Sequence, residues 1–250
     1  MHEQSMNVLP ARTAEVEESR IRTAYARRQN QAMYSWFLPS TLFIVQERER
    51  RLLALLKQHG IEELGTKKIL EIGCGSGYWL RAFIQWGARP QNIFGVDLIP
   101  DRVDEARMLC PAAVDVRLES GAQLRFADAT FDLVLQSTVF TSILDPRLKQ
   151  KVAHEMLRVV KNDGLILWYD FHVNNPSNPD VRGVTKGEIT QLFSGCRIEL
   201  ERITLAPPIC RLLAPYTWLG CYLLERIPWL CTHYLGVIKK QGLNILESVL

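Results

Sequence analysis

Three glycines, Gly73, Gly75 and Gly77, follow the apolar run Ile69-Leu70-Glu71-Ile72, and an acid, Asp97, closes a second apolar run twenty residues past Gly77. A strand, a glycine-rich turn, a helix and a second strand ending in a carboxylate form a frame for a nucleoside cofactor. The turn lets the backbone approach the ligand, and the carboxylate accepts hydrogen bonds from both ribose hydroxyls. Where a dinucleotide turn has its third glycine this chain has Tyr78, followed by Trp79. That bulk crowds a pyrophosphate at the helix N-terminus. The turn suits a cofactor that lays an amino-acid tail and a ribose over the glycines. Glu71 is placed to anchor either the turn's own N–H groups or an ammonium on that tail.

Side chains at the ends of later apolar runs are the candidates for contact with an acceptor. Gln136, Ser137 and Thr138 end the run Phe131-Asp132-Leu133-Val134-Leu135, and Tyr169, Asp170 and His172 end Leu165 to Tyr169. In open α/β sheets the ligand crevice lies at the carboxyl ends of the strands, so these residues are expected beside the cofactor. An oxygen acceptor has to lose a proton, and imidazole titrates near neutrality. His172 is therefore the preferred base, with Asp170 orienting it or binding a substrate hydroxyl. A loop histidine bonded to its neighbouring asparagines, and an acid capping a loop, are the alternative readings. Tyr25, Tyr34, Trp36 and Phe37 precede the first strand and form either an aromatic lid or ordinary core. Tyr34, Trp36, Ser137 and Tyr169 are the expected substrate contacts.

The elements that position these groups follow from the apolar patterning. A helix is predicted over about residues 11–37, broken at Pro39-Ser40, with Ser40 capping a second helix that Gly60 ends. Strands are predicted at about 68–72, 92–97, 113–119, 131–135 and 165–169, with helices at 76–86, 101–109 and from Asp145-Pro146 to about Val160. This alternation implies right-handed parallel βαβ units. Asn162-Asp163-Gly164 is read as a turn into the fifth strand, and Thr185 to Glu188 as a capping box. Strands over 197–205 and 233–239 complete an α/β, doubly wound, mostly parallel seven-stranded sheet. Residues 1–65 are expected to form an N-terminal helical lid, 66–250 the cofactor-binding domain, and 207–230 an apolar helical insertion within it.

The chain of 250 residues is 47% hydrophobic and 23% charged, with a net charge of +3, the profile of an ordinary globular domain. Bases and acids are interspersed, as in Gln46 to Arg51, which argues against a nucleic-acid surface. The six cysteines form no CxxC pair and no cluster with histidine, so no metal site is expected. No apolar run follows a basic start, so a signal peptide is not expected, and a reducing cytoplasm is the expected compartment. Leu212 to Leu224 is uncharged but only 13 residues long, with Pro215 inside, whereas a spanning helix needs about 20 apolar residues. No transmembrane span is expected, and peripheral membrane contact stays open, as does the oligomeric state.

Together, ILEIGCGSGYW, the acid in GVDLIPDRV, FDLVLQSTVF and HEMLRVVKNDGLILWYDF resemble the class I S-adenosylmethionine-dependent methyltransferases over about residues 66–171. The flanking YSWF-P and YDFHVNNPSNPDVRGV look like small bacterial methyltransferases of the glycan or polyketide biosynthesis type. The resemblance implies a Rossmann-like methyltransferase fold with S-adenosylmethionine as cofactor. It implies that Gly73, Cys74 and Gly75 lie against the methionine part, that Asp97 binds the ribose and that Leu98 packs on adenine, with Gly77 also among the cofactor-binding residues. The family's Asp-Ala pair before the fourth strand is Gly121-Ala122 here, so Ala122 backbone or Gln123 is expected to replace the acid. Glu71 and Gln136 complete the expected cofactor contacts. The acceptor is expected to be a small molecule, a glycan or a lipid-linked group methylated on oxygen, and not nucleic acid. The Asn/Asp-Pro-Pro-aromatic signature of base methylation is absent where Gln136-Ser137-Thr138-Val139-Phe140 stands. A nucleotide-dependent oxidoreductase and a non-catalytic cofactor-binding module are the competing readings. Tyr78 weighs against the first, and the intact glycines with Asp97 against the second.

Overall fold

The computed structural model describes residues 11–27, 35–176 and 178–241. Its seven strands form one sheet in the order β3-β2-β1-β4-β5-β7-β6. β1 (Ile69–Ile72), β2 (Ile93–Asp97), β3 (Asp115–Leu118), β4 (Phe131–Ser137) and β5 (Val160–Phe171) run parallel. β7 (Cys231–Lys240) pairs antiparallel with β5 and with β6 (Cys196–Leu205). The order reverses between β1 and β4, so their carboxyl ends open the ligand crevice. Register sets the crevice floor. Ile72 pairs with Val96 on one side and Gln136 on the other, so the next residues, Gly73, Asp97 and Ser137, emerge level with one another.

Central strands read as continuous apolar runs because helices cover both faces. Alternate residues serve two cores. Ile69, Leu133, Leu135, Leu165 and Leu167 face a core shared with α2 (Pro39–Gln58), α3 (Tyr78–Gln85) and α4 (Pro100–Leu109). Leu70, Ile72, Val134, Ile166 and Trp168 face one shared with α1 (Ala11–Ala26), α5 (Pro146–Val159) and α6 (Lys186–Leu192). A third, smaller core joins Phe43 of α2 to α7 (Pro207–Leu213) and α8 (Trp218–Leu224).

Several local readings change. Leu38, not Ser40, occupies the N-cap of α2, because Pro39 takes the first helical position where its missing N–H is no loss. Ser40 is buried inside the helix. The Asn162-Asp163-Gly164 segment does not precede β5 but lies within it, as a bulge. Phe131 pairs with Val160 and Leu133 with Leu165, so three extra residues of β5 bow out between them. Thr185 caps α6 by accepting from the Glu188 N–H at 3.2 Å. The Glu188 carboxylate does not close the box, since it accepts from buried Lys149 at 2.6 Å. Asp145 caps α5 as expected, accepting from the Arg147 N–H at 2.8 Å. The apolar 207–230 stretch is two short helices, interrupted around Pro215. Among the described residues no helix is long and apolar enough to cross a membrane.

Candidate functional site

A crevice opens at the carboxyl ends of β1, β2 and β4. Its walls include Gly73, Asp97, Leu98, Ser137 and Val139, and α1 closes it from above with Ile21 and Tyr25. Glycine is required in the turn after β1. Gly73, Gly75 and Gly77 have φ of +69°, +53° and +77°, a region side chains rarely adopt. A Cβ on Gly73 would overlap the Val139 side chain, whereas one on Gly77 would stand 2.7 Å from Cys110 Sγ. The first glycine thus clears the crevice, and the third lets α3 pack against α4. Cys74 departs from its expected place. Its side chain is buried beneath Gly95, while its N–H and that of Gly73 both donate to Val96 O.

Asp97 organises the turn. Its Oδ2 accepts from the Gly75 N–H at 2.8 Å and its Oδ1 from the Ile99 N–H at 2.9 Å. A carboxylate offers about four acceptor positions, so two remain after the backbone is satisfied. Burial pushes its pKa up, although both N–H groups favour the ionised form.

Behind the glycines lie two polar atoms without partners. Glu71 Oε2 and Arg48 Nε are buried and make no hydrogen bond. Burial raises the Glu71 pKa well above the carboxylate range, with Asp97 adding to the rise and Arg81 and Arg48 opposing it. Arg48, from α2, has its guanidinium carbon 5.6 Å from the Trp79 ring, 6.0 Å from Tyr78 and 5.2 Å from Tyr169. Trp36 packs at a tilt on Tyr78, with ring centres 5.6 Å apart, and His233 lies nearly parallel to Tyr169 at 4.8 Å. Burial holds His233 neutral, with its pKa driven down to about 3. So one of the expected acceptor contacts, Tyr169, lies against an arginine that patterning did not single out, and another, Trp36, packs on Tyr78, which meets the same arginine. Ser137 lines the crevice itself. Tyr34 lies outside the described residues.

The adenine side also differs from expectation. The Ala122 N–H already donates to Ser120 Oγ at 3.1 Å, and Gln123 lines an outer groove with Arg22 and Arg125 rather than the crevice. A Cβ on Gly121 would stand 2.7 Å from Ile72 Cγ2, so packing leaves no room for an acid there. Glu119, buried at the end of β3, lines the crevice instead; its Oε1 accepts from the Arg125 N–H. An acid directly after the third strand, whose last residue pairs with Asp97 at the end of the second, was the available signal. Gln136 is spent on the backbone. Its Oε1 accepts from the Val139 N–H at 3.2 Å and its Nε2 donates to Tyr169 O at 3.4 Å. That bracing holds Thr138 at φ +59°, a strained turn at the crevice mouth.

Asp170 and His172 are not brought together. Asp170 is fully buried. Its Oδ1 accepts from Thr141 Oγ1 at 2.7 Å and from the Phe171 N–H at 3.0 Å, and its Oδ2 from the Thr141 N–H at 3.1 Å. Burial pushes its pKa up to about 7 against those bonds. The carboxylate ties the turn after β4 to β5. His172 leaves the sheet toward β7, where Nε2 bonds Cys231 O at 3.2 Å and the ring packs on Tyr234. Burial and Arg202 lower its pKa. Neither side chain lines the crevice, so the expected base pair is corrected to two structural ties.

Residues 69–164 match the family described as methyltransferase domain, and over that stretch the chain is similar to S-adenosylmethionine-dependent methyltransferases. An uncharacterized methyltransferase of Mycobacterium leprae is 35% identical over 113 residues, 45% of this chain and 39% of that protein. The tRNA N(3)-methylcytidine methyltransferase trm140 of Schizosaccharomyces pombe is 30% identical over 128 residues, 48% of this chain and 40% of that protein. The chain thus spans about two fifths of these curated relatives. Among solved structures, phosphoethanolamine N-methyltransferase 1 of Haemonchus contortus, in complex with phosphoethanolamine and S-adenosylhomocysteine, superposes with a TM-score of 0.61. The likeness covers 91% of this chain and 50% of that one at 13% identity, and it shows the shared fold.

Proposed function

We propose that the protein transfers the methyl group of S-adenosylmethionine to a hydroxyl of a small-molecule, glycan or lipid-linked acceptor. One observation carries the reading: a positive-φ glycine turn, a strand-end carboxylate with spare acceptor positions, and two unsatisfied buried groups of opposite charge type meet at one end of β1. An amino-acid tail with an ammonium and a carboxylate is complementary to Glu71 and Arg48. Asp97 would hold the ribose hydroxyls. Leu98 and Val139 would flank the base, with Glu119 at its polar edge.

When bound, the cofactor would supply a sulfonium-activated methyl group: the methyl carbon–sulfur bond would break as the acceptor oxygen attacks that carbon in line, the sulfur leaving as the thioether of S-adenosylhomocysteine and the hydroxyl proton passing to water. Alignment carries most of such a reaction and is worth several kcal/mol, on the order of 7 or more in the best-oriented cases. Trp36, Tyr78 and Tyr169 offer the aromatic surface for the acceptor, and Ser137 a hydroxyl beside the crevice. α1 acts as the lid. Arg20 donates to Ser142 O at 2.6 Å and Glu17 accepts from the Leu144 N–H at 2.6 Å, which fastens the helix over the crevice and excludes water. The six cysteines are all free, which supports a reducing, cytoplasmic setting.

The Schizosaccharomyces pombe relative is named for tRNA, while the net charge of +3 here favours a smaller acceptor. Incubation with methyl-labelled cofactor tests this, against hydroxylated glycans, lipid-linked sugars and bulk tRNA in parallel. Label in an alkali-stable ether of a glycan or lipid-linked sugar is expected. Label in tRNA, or in none of the acceptors, would contradict the acceptor assignment.

A further inference from the structure

We propose that the face built by Trp36-Phe37 and the α7–α8 segment docks on an anionic lipid bilayer. The two parts form one surface, because Trp36 to Pro39, Leu42 and Ala214 to Trp218 together line a single groove. Phe37, Tyr216 and Trp229 are 97%, 86% and 83% exposed. Leu212, Leu219 and Leu223 are exposed as well. These are not residues left over from a poorly packed core. Cys210, Ala214 and Cys221 of the same segment are buried against Phe43 and Leu205, so each short helix has a buried side and a second apolar side turned to solvent. Aromatic rings beside exposed leucines belong at a membrane–water boundary.

Charge selects the partner. Residues 207–230 contain one acid, Glu225, and two bases, Arg211 and Arg226. Glu225 is buried and lies 3.7 Å from Arg50 Nη2, while both arginines are exposed. The Tyr222 ring lies between Arg50 at 5.7 Å and Arg226 at 4.6 Å. The apolar face therefore has a cationic rim with no exposed carboxylate of its own segment, which suits anionic headgroups. A second copy is a poorer match, because a two-fold contact sets the same patch against itself and brings arginines together without acids. No described helix is long and apolar enough to span, so the contact proposed is interfacial. The face continues through Trp36 to Tyr78 beside the glycine turn. Docking stands apart from the methyl-transfer reading; that it delivers a lipid-linked acceptor rests on it.

Sedimentation of the full chain with extruded vesicles tests the docking. One set is pure phosphatidylcholine and the other equimolar phosphatidylglycerol and phosphatidylcholine. The protein is expected to sediment with the anionic set and to be released by salt. Phe37→Asp combined with Trp229→Asp, and separately Arg211→Glu combined with Arg226→Glu, are expected to lower the partition coefficient at least about tenfold. These side chains are exposed, so circular dichroism and the melting temperature should match wild type. A wild-type chain that stays in the supernatant, variants that sediment as wild type does, or a dimer that the aspartates dissociate would each overturn the proposal.

Discussion

A buried carboxyl with an unbonded oxygen changes the proton balance of any ligand that brings it a cation. Glu71 is such a group, and burial raises its pKa well above the ordinary carboxylate value, which favours the protonated form in the free protein. An ammonium placed against it would draw the proton off, so binding would release a proton and tighten as pH rises. Calorimetric titration with S-adenosylhomocysteine in buffers of different ionisation enthalpy is expected to show that release in wild type and not in Glu71→Gln. Equal release in both would exclude the contact. Asp170 gives a stability counterpart. Its folded-state pKa of about 7 lies above the ordinary aspartate value of about 4, so the native state holds the extra proton. The stabilisation is complete below the unfolded value and is lost as pH rises from about 4 to about 7. The melting temperature of wild type relative to Asp170→Asn should therefore fall over that range; parallel profiles would show that Asp170 does not titrate there. Asp97 and the glycines were legible because they sit at strand ends on one short stretch. Arg48 was not, because Tyr78, Trp79 and Tyr169 reach it from two other elements, and only tertiary packing assembles them.

Elements register these constraints as turns and close approaches. Gly77 caps α3 at φ +77° with Cys110 Sγ 2.7 Å from the position of a Cβ. Gly77→Ala combines a left-handed penalty of about 1–2 kcal/mol with that overlap. A melting temperature lower by roughly 5–10 °C is expected from calorimetric scans at this chain length. An unchanged value would mean that the turn relaxes freely. The apolar runs made the parallel strands readable, since buried central strands carry little else. The β5 bulge was not readable, because Asn162-Asp163-Gly164 has the residues of a turn and only pairing with β4 shows it as part of a strand. Asp145 was readable as a cap because the signal is local. Glu188 was not, since Lys149 from α5 claims its carboxylate across the fold.

At the scale of the whole molecule, one sheet order puts the chemistry at one edge. β1 at the reversal point, flanked by β2 and β4, sets Gly73, Asp97 and Ser137 level, α1 covers them, and α2 brings Arg48 from the other side. The doubly wound class follows from alternating strands and helices, but the seating of α1 over the crevice depends on Arg20 and Glu17 meeting residues far along the chain. In the function proposed above, Asp97 is the group on which cofactor retention turns. Calorimetry with S-adenosylhomocysteine on wild type and Asp97→Ala measures it directly. Binding by wild type is expected, weakened in the variant by about 2–3 kcal/mol, or roughly 30- to 150-fold, with the fold retained by circular dichroism. No binding by wild type, or equal affinity in a folded variant, would contradict the cofactor site described above.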